Sequence, residues 1–159
     1  MIFAYGDAAF EANHLENGLS LVLNLMREYD KKRFPRRAVE SLSTMDAPKT
    51  LGRLFEAVNG KERFTRGQKK LISRAIRERN FLIHDYWKAR IRMTLSKEGR
   101  EWVIEDLARI RDLLCEANKI IDALAARYLR EFHINFEDLD FMVEGLWESE
   151  AEPPKRLLH

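Results

Sequence analysis

One unbroken stripe of apolar residues in the second half of the chain constrains the fold more than any other feature. Its members recur alternately four and three residues apart, which is the period of a buried helix face in a bundle or a coiled coil. They are Val103, Leu107, Ile110, Leu114, Ala117, Ile121, Leu124 and Tyr128. The stripe predicts a helix that opens at Ser96, continues to about Arg130 and spans roughly 50 Å. A helix of this length needs other helices packed along it, so the pattern indicates a helical bundle.

Three further long helices are predicted before this one, each from its cap or its stop signal. Asp7 is expected to cap the first. The second is expected to stop at Asn59-Gly60, because both residues favour the left-handed conformation that ends a helix. The third starts at Thr65, where Gln68 completes a capping box, and continues to about residues 93–95. No alternating polar and apolar run is long enough to predict a strand.

The number and order of these elements define the expected architecture. The chain has 159 residues, which is the size of one domain. We predict an all-α fold, an up-and-down four-helix bundle with short additional helices, over residues 1–147. The short helices are expected after Pro35 and after Asn135, and residues 148–159 are expected to form a polar, flexible tail.

The composition excludes several kinds of protein. With one cysteine, Cys115, neither a disulfide framework nor a cysteine metal cluster is possible, and we expect its side chain to be a small buried apolar group. The four histidines form no H-x-x-x-H or H-E-x-x-H spacing, so we predict no metal and no cofactor. The N-terminus lacks the pattern of a signal peptide, and the run from Leu19 to Met26 is too short to span a bilayer. We therefore expect a cytoplasmic protein without a membrane partner.

The basic residues are concentrated in the middle of the chain. Residues 27–92 carry 19 Lys and Arg against 8 Asp and Glu, although the formal net charge of the whole chain is only +2. Between Glu137 and Glu152 the chain has seven acids and no base. A basic middle is typical of a protein that binds a polyanion. A solvated face neutralised by the acidic end of the same chain would have the same composition.

The third helix carries a charge where its apolar stripe should continue. The stripe passes through Ile72, Ala75 and Ile76 and resumes at Ile83, and the position between them is Arg79. A guanidinium keeps its charge at any physiological pH, so burying it without partners is costly. Arg79 must therefore extend into solvent, pair with a carboxylate, or face an anionic ligand in a cleft.

Two polar residues follow Arg79 on the same helix. Asn80 and His84 are four positions apart and share a face, so the amide of Asn80 can orient the imidazole. Arg79 and His84 point about 140° apart on an ideal helix, and we expect them to flank a common groove. An imidazole that titrates near neutrality can move a proton at a 2′-hydroxyl, and an arginine can hold a phosphate. The set suits phosphodiester chemistry without a metal.

The segment from Arg79 to Trp87, RNFLIHDYW, resembles the R-x4-6-H signature of the HEPN (higher eukaryote and prokaryote nucleotide-binding) superfamily, in its RN-x3-H form. The resemblance implies a bundle of four or five helices that forms a homodimer with two copies of the motif at one cleft. It also implies a metal-independent endoribonuclease, often the toxin of a toxin–antitoxin or phage-defence system. In that case Arg79 and His84 would be catalytic, with Asn80 supporting them.

A longer pattern, R-x4-H-x-Y, resembles toxins that are paired with a minimal nucleotidyltransferase antitoxin. Arg79, His84 and Tyr86 match it. The resemblance implies that such a partner would add AMP to Tyr86, which makes this tyrosine a second supporting residue. It further implies an assisting acid on the first helix, for which Glu11 and Glu16 are the candidates.

Basic side chains surround the motif, and we predict that part of this set binds RNA. The predicted RNA-binding residues are Lys70, Arg74, Arg77 and Lys88. The larger set also includes Lys69, Arg90 and Arg92.

A structural role remains open for each of these residues. His84 can be an ordinary half-buried histidine, and Tyr86 and Trp87 can be core or dimer-contact aromatics. Arg79 can form an ion pair with Glu11, Glu16 or an acid of the fourth helix. The alternative function is a non-catalytic helical module of the same fold that binds a nucleotide, RNA or a protein.

Overall fold

The computed structural model describes residues 1–30 and 50–133. The predicted short helices after Pro35 and Asn135 and the predicted tail at 148–159 lie outside these residues. The described helices are α1 (Ile2–Asp30), α2 (Leu51–Lys61), α3 (Arg66–His84), α4 (Tyr86–Arg90), a 3-10 helix (Ile91–Leu95) and α5 (Lys97–Glu131). No strand occurs in the described part of the chain, and the all-α prediction is confirmed.

The helix boundaries differ from the predicted ones at three places. α1 begins at Ile2, five residues before the predicted cap Asp7, and α2 continues through Asn59-Gly60 to Lys61. The predicted third helix is interrupted at Asp85, whose backbone (φ −129°, ψ −12°) leaves the helical conformation and separates α3 from α4. His84 is therefore the last residue of α3.

The two longest helices, α1 and α5, pack along each other. Asn118 of α5 donates a hydrogen bond to the backbone oxygen of Glu11 (3.1 Å), and one turn further on Asp122 lies 3.0 Å from His14. The contacts advance together along both helices, so α1 and α5 run parallel. Gly18 permits the close approach, because a Cβ atom there would lie 3.0 Å from Cγ2 of Ile121.

α3 packs against both of these helices in the opposite direction. Arg79 reaches Glu16 of α1, and the hydroxyl of Tyr5, earlier on α1, lies near the backbone oxygen of Leu82. The chain that joins α1 to α2 lies outside the described residues, so the alternating up-and-down order stays a prediction. None of the helices described here is both long and apolar enough to cross a membrane.

The core contains the apolar stripe that was predicted on α5. Every member from Val103 to Leu124 is buried, and Tyr128 is half-buried. On α3 the buried positions are Ile72, Ala75, Ile76 and Leu82, whereas the predicted Ile83 is exposed. The buried stripe of α3 therefore resumes at Leu82 and not at Ile83.

A polar cluster joins the C-terminal ends of α2 and α5. Arg127 and Tyr128 both donate hydrogen bonds to the carboxylate of Glu62. Burial by itself would raise the pKa of Glu62, but these two hydrogen bonds outweigh it and lower the pKa below its ordinary value of 4.5. Burial and the hydrogen bond to Glu62 raise the pKa of Tyr128 to about 12.

Candidate functional site

The capping box that was predicted at the start of α3 is present. The Thr65 hydroxyl accepts a hydrogen bond from the backbone N–H of Gln68 (3.2 Å), and the Gln68 side chain accepts one from the backbone N–H of Thr65 (2.9 Å). The box defines where α3 begins and therefore which direction each later side chain takes. At about 100° per residue, Arg79 points about 180° from Lys70, while Arg77 and His84 point within about 40° of Lys70.

Arg79 occupies the buried side of α3 and is held by the protein's own carboxylate. One terminal nitrogen donates a hydrogen bond to the carboxylate of Glu16 on α1, and the other donates to Oδ1 of Asn80 (3.2 Å). The two charged side chains are only 14% and 23% exposed. The Arg79 charge is thus neutralised inside one chain, which is one of the three solutions that the sequence left open.

His84 lies on the solvent side of α3, away from Arg79. Its side chain is exposed and forms no hydrogen bond with a described residue. The predicted support from Asn80 is absent in this arrangement, because the Asn80 amide oxygen accepts from Arg79 instead. Within one chain, Arg79 and His84 therefore do not converge on a common groove.

Tyr86 is part of the core. It is fully buried, its hydroxyl donates to the backbone oxygen of Val103 (3.3 Å), and its ring packs edge-on against Phe81 and Trp87. Burial, together with the nearby charge of Asp106, raises the pKa of Tyr86 above its ordinary value. A hydroxyl in this position is not accessible to a modifying enzyme unless α4 separates from α5.

The predicted RNA-binding side chains of α3 form an exposed basic face. Lys70, Arg74 and Arg77 are exposed, and none of them forms an ion pair with a described residue. His84 continues this face toward the end of α3. Lys88 is exposed on α4, where its ammonium group lies 3.5 Å from Asp85. We refer to Lys70, Arg74, Arg77 and His84 as the α3 face.

A second arginine lies close to the α3 face, and the sequence placed it only within the general basic set. The guanidinium of Arg90 stacks over the rings of Phe81 (5.6 Å to the centroid) and Trp102 (4.9 Å). Its Nε lies 3.8 Å from Oδ2 of Asp106. No periodicity in the sequence predicts this arrangement, because it depends on the turn at Asp85.

Asp106 is a buried carboxylate that lies within 4 Å of both Arg90 and Arg109. Its side chain is 7% exposed, and Oδ1 accepts two hydrogen bonds from Arg109, at 2.8 and 3.2 Å. Arg109 also contacts Glu78 of α3 (3.4 Å). Oδ2 of Asp106 and Nε of Arg90 are both buried without a hydrogen-bond partner in the described part of the chain.

No group of three or more His, Cys, Asp or Glu side chains that could hold a metal ion occurs among residues 1–30 and 50–133. The thiol of Cys115 is half-buried, and burial followed by the charge of Glu11 raises its pKa. A thiol in these surroundings stays protonated at neutral pH and is a poor nucleophile.

Comparisons of the chain with protein-family models, with curated proteins and with solved structures give no match. The function is therefore inferred from the geometry of these side chains and from the resemblance of the Arg79–Trp87 segment.

Proposed function

We propose that this chain is a HEPN-type protein that binds RNA along the α3 face. The observation that supports the proposal is a row of exposed cations, Lys70, Arg74 and Arg77, that lack carboxylate partners among the described residues and end at an exposed histidine. Unpaired cations along one helix attract a phosphate backbone and release its counterions when it binds. The proposal places the protein in the cytoplasm, where RNA is accessible.

In its catalytic form, the proposal is a metal-independent endoribonuclease with His84 as the group that moves protons. An exposed imidazole beside bound RNA can take the proton of a 2′-hydroxyl, which then attacks the adjacent phosphorus. The bond to the 5′-oxygen breaks, that oxygen takes up a proton, and a 2′,3′-cyclic phosphate remains. Arg79 would hold α3 against α1 through Glu16, and a direct contact between Arg79 and phosphate would require this ion pair to open.

Binding is tested with a short fluorescent single-stranded RNA over a series of salt concentrations. Replacing Lys70, Arg74 and Arg77 by Gln should weaken binding and reduce the slope of log K against log[salt] by about 2, at about 0.7 per phosphate contact. The matched control replaces Arg53, Lys119 and Arg130, which are exposed on α2 and α5, with the same change of charge. Equal loss in the two triple variants would show that binding is not located on α3.

Cleavage is tested with the same RNA in the presence of EDTA. His84→Asn should abolish cleavage and preserve binding, whereas His133→Asn, at the exposed residue that follows α5, should have no effect on either. His133 has a positive φ of 59°, which Asn tolerates, so this control should not perturb the fold. Cleavage by the His84 variant at the wild-type rate would refute the catalytic form.

The second candidate function is a non-catalytic RNA- or nucleotide-binding module of the same fold. The observation that favours it is the ion pair between Arg79 and Glu16, because it leaves His84 without an arginine from its own motif. This candidate predicts saturable, salt-dependent binding in which the RNA remains intact. RNA fragments that carry a cyclic phosphate would refute it.

The toxin–antitoxin role and the homodimer that the resemblance implies remain proposals. Dimerisation would add a second α3 face and is tested by analytical ultracentrifugation. Modification of Tyr86 by a nucleotidyltransferase is not part of the proposal, since its hydroxyl is buried and bonded to Val103.

A further inference from the structure

Arg90, which lies where α3, α4 and α5 meet, has an unusual set of contacts. The Arg90 guanidinium lies between two aromatic rings, and its side chain is 32% exposed. It donates no hydrogen bond to any described residue, and its Nε is buried without a hydrogen-bond partner among them. Its Nε forms an ion pair with Oδ2 of Asp106 at 3.8 Å, which is too far for a hydrogen bond.

The surrounding residues explain why Asp106 does not form a hydrogen bond with Arg90. The other oxygen of Asp106 already accepts two hydrogen bonds from Arg109, which is also oriented by Glu78 of α3. Stacking on Phe81 and Trp102 meanwhile fixes the plane of the Arg90 guanidinium. The result is a rigid cation with hydrogen-bond donors that no described group uses.

The position of Arg90 relative to the α3 face follows from the direction of Phe81 on α3. Phe81 and His84 are three residues apart on α3, so they are neighbours on its surface, with Cβ atoms about 5–6 Å apart. Phe81 also points in nearly the same direction as Lys70, about 20° from it, in the middle of the α3 face. Because Arg90 stacks on Phe81 and on Trp102 of α5, its guanidinium lies at the edge of the α3 face that borders α5.

We infer that Arg90 is a phosphate-binding residue at the edge of the α3 face, where it stacks on Phe81 and Trp102. The ligand is a phosphodiester group of single-stranded RNA, and Trp102, which is 39% exposed, offers a ring beside Arg90 on which an adjacent base can stack. An arginine suits this role because its planar group can donate two parallel hydrogen bonds to phosphate oxygens while it remains stacked. The inference deepens the proposed function and rests on RNA binding at the α3 face.

The test compares Arg90→Met with Arg92→Met in the full chain. Both changes remove one cation, but Arg92 is exposed on the 3-10 helix and stacks on no aromatic ring of residues 1–30 and 50–133. Arg90→Met should weaken binding of the short single-stranded RNA about tenfold and reduce the salt slope by about 0.7, the value for one phosphate contact. Arg92→Met should have a clearly smaller effect on both quantities.

Arg90 also links α3 to α5, so its loss can lower stability. Circular dichroism at the assay temperature will show whether each variant is folded, and Arg90→Lys separates charge from stacking. The lysine variant should recover part of the salt slope because it keeps the cation, whereas a purely structural arginine would leave the salt slope unchanged in every folded variant. Trp102→Leu should weaken RNA binding and should keep the wild-type salt slope, since it removes stacking and no cation.

Two outcomes distinguish this inference from the proposed function. In the first outcome, the wild-type protein binds RNA, the α3 triple variant does not, and Arg90→Met behaves like Arg92→Met. The inference about Arg90 is then wrong and the proposed function stands. If wild-type protein does not bind RNA, the proposed function fails, and the Arg90 site is tested with inorganic phosphate. In that titration the N–H resonances of the Arg90 guanidinium should shift, and unmoved resonances would overturn the inference.

Discussion

The ion pair between Arg79 and Glu16 yields a prediction that distinguishes a structural role of Arg79 from a role in RNA binding or cleavage. Replacing Arg79 by Met leaves the Glu16 carboxylate between α1 and α3 without its partner. Breaking a fully buried pair costs about 3–5 kcal/mol, and an exposed pair contributes about 0–1 kcal/mol. Because the two side chains are 14% and 23% exposed, the expected loss lies between these limits, at about 2–3 kcal/mol.

The measurement is a double-mutant cycle in urea, followed by circular dichroism at neutral pH. Arg79→Met and Glu16→Gln should each destabilise the protein, and the double variant should be less destabilised than the two losses added together, with a coupling of about 1–2 kcal/mol. Asp112→Asn is the control, since Asp112 forms an exposed ion pair with Arg111 and should change stability by less than about 0.5 kcal/mol. A coupling near zero would refute the structural account of Arg79.

The same variants show whether Arg79 also contacts RNA. If its role is to hold α3 on α1, RNA binding should be weak in Arg79→Met only where that variant is partly unfolded, and the double variant should recover it. Loss of binding in a fully folded double variant would show that the guanidinium meets the RNA itself. Such a result would restore the catalytic pair that the sequence pattern implies.

Two further predictions concern the fold. Gly99→Ala should destabilise the protein by about 2–4 kcal/mol, because a Cβ atom at this position would lie 1.9 Å from the backbone oxygen of Met93. Gly6→Ala is the control and should stabilise the protein slightly, because no atom lies within 4 Å of a Cβ atom there. Similar melting temperatures for the two variants would contradict this account. Because the pKa of Glu62 is lowered in the folded protein, its ionised carboxylate should stabilise the fold at pH values above the ordinary pKa of 4.5. That contribution should be lost as the pH falls through the lowered pKa. Urea unfolding at a series of pH values should therefore show Glu62→Gln less stable than wild type at pH 7, with a difference that shrinks on acidification; the exposed Glu56→Gln should show no such trend.

Sequence reasoning succeeded where the signal is local. The capping box at Thr65 and Gln68 and the opening of α5 at Ser96 involve residues that are three positions apart, and both are present. It failed at Asp85, where α3 was expected to continue. Side-chain packing of Tyr86 into the core accompanies this break, and hydrophobic periodicity does not encode it.

The candidate site was predicted in part. The exposure of Lys70, Arg74 and Arg77 follows from their place on the side of α3 opposite its apolar stripe, and the structure places them there. The partner of Arg79 could be narrowed to a few acids but not chosen, because Glu16 is 63 residues away in sequence. The stacking of Arg90 was not predicted at all.

The sequence by itself determined that this chain is helical, where α3 and α5 begin, and which side of each helix is apolar. These properties depend on interactions between residues within about one helical turn, so a linear pattern is sufficient to predict them. The tertiary structure decided which charges are neutralised and which remain available: α1 supplies the carboxylate that pairs with Arg79, and the turn after α3 brings Arg90 onto Phe81 and Trp102. Charges in a protein interact with whatever packing brings within a few ångströms, and in this chain those neighbours come from separate helices.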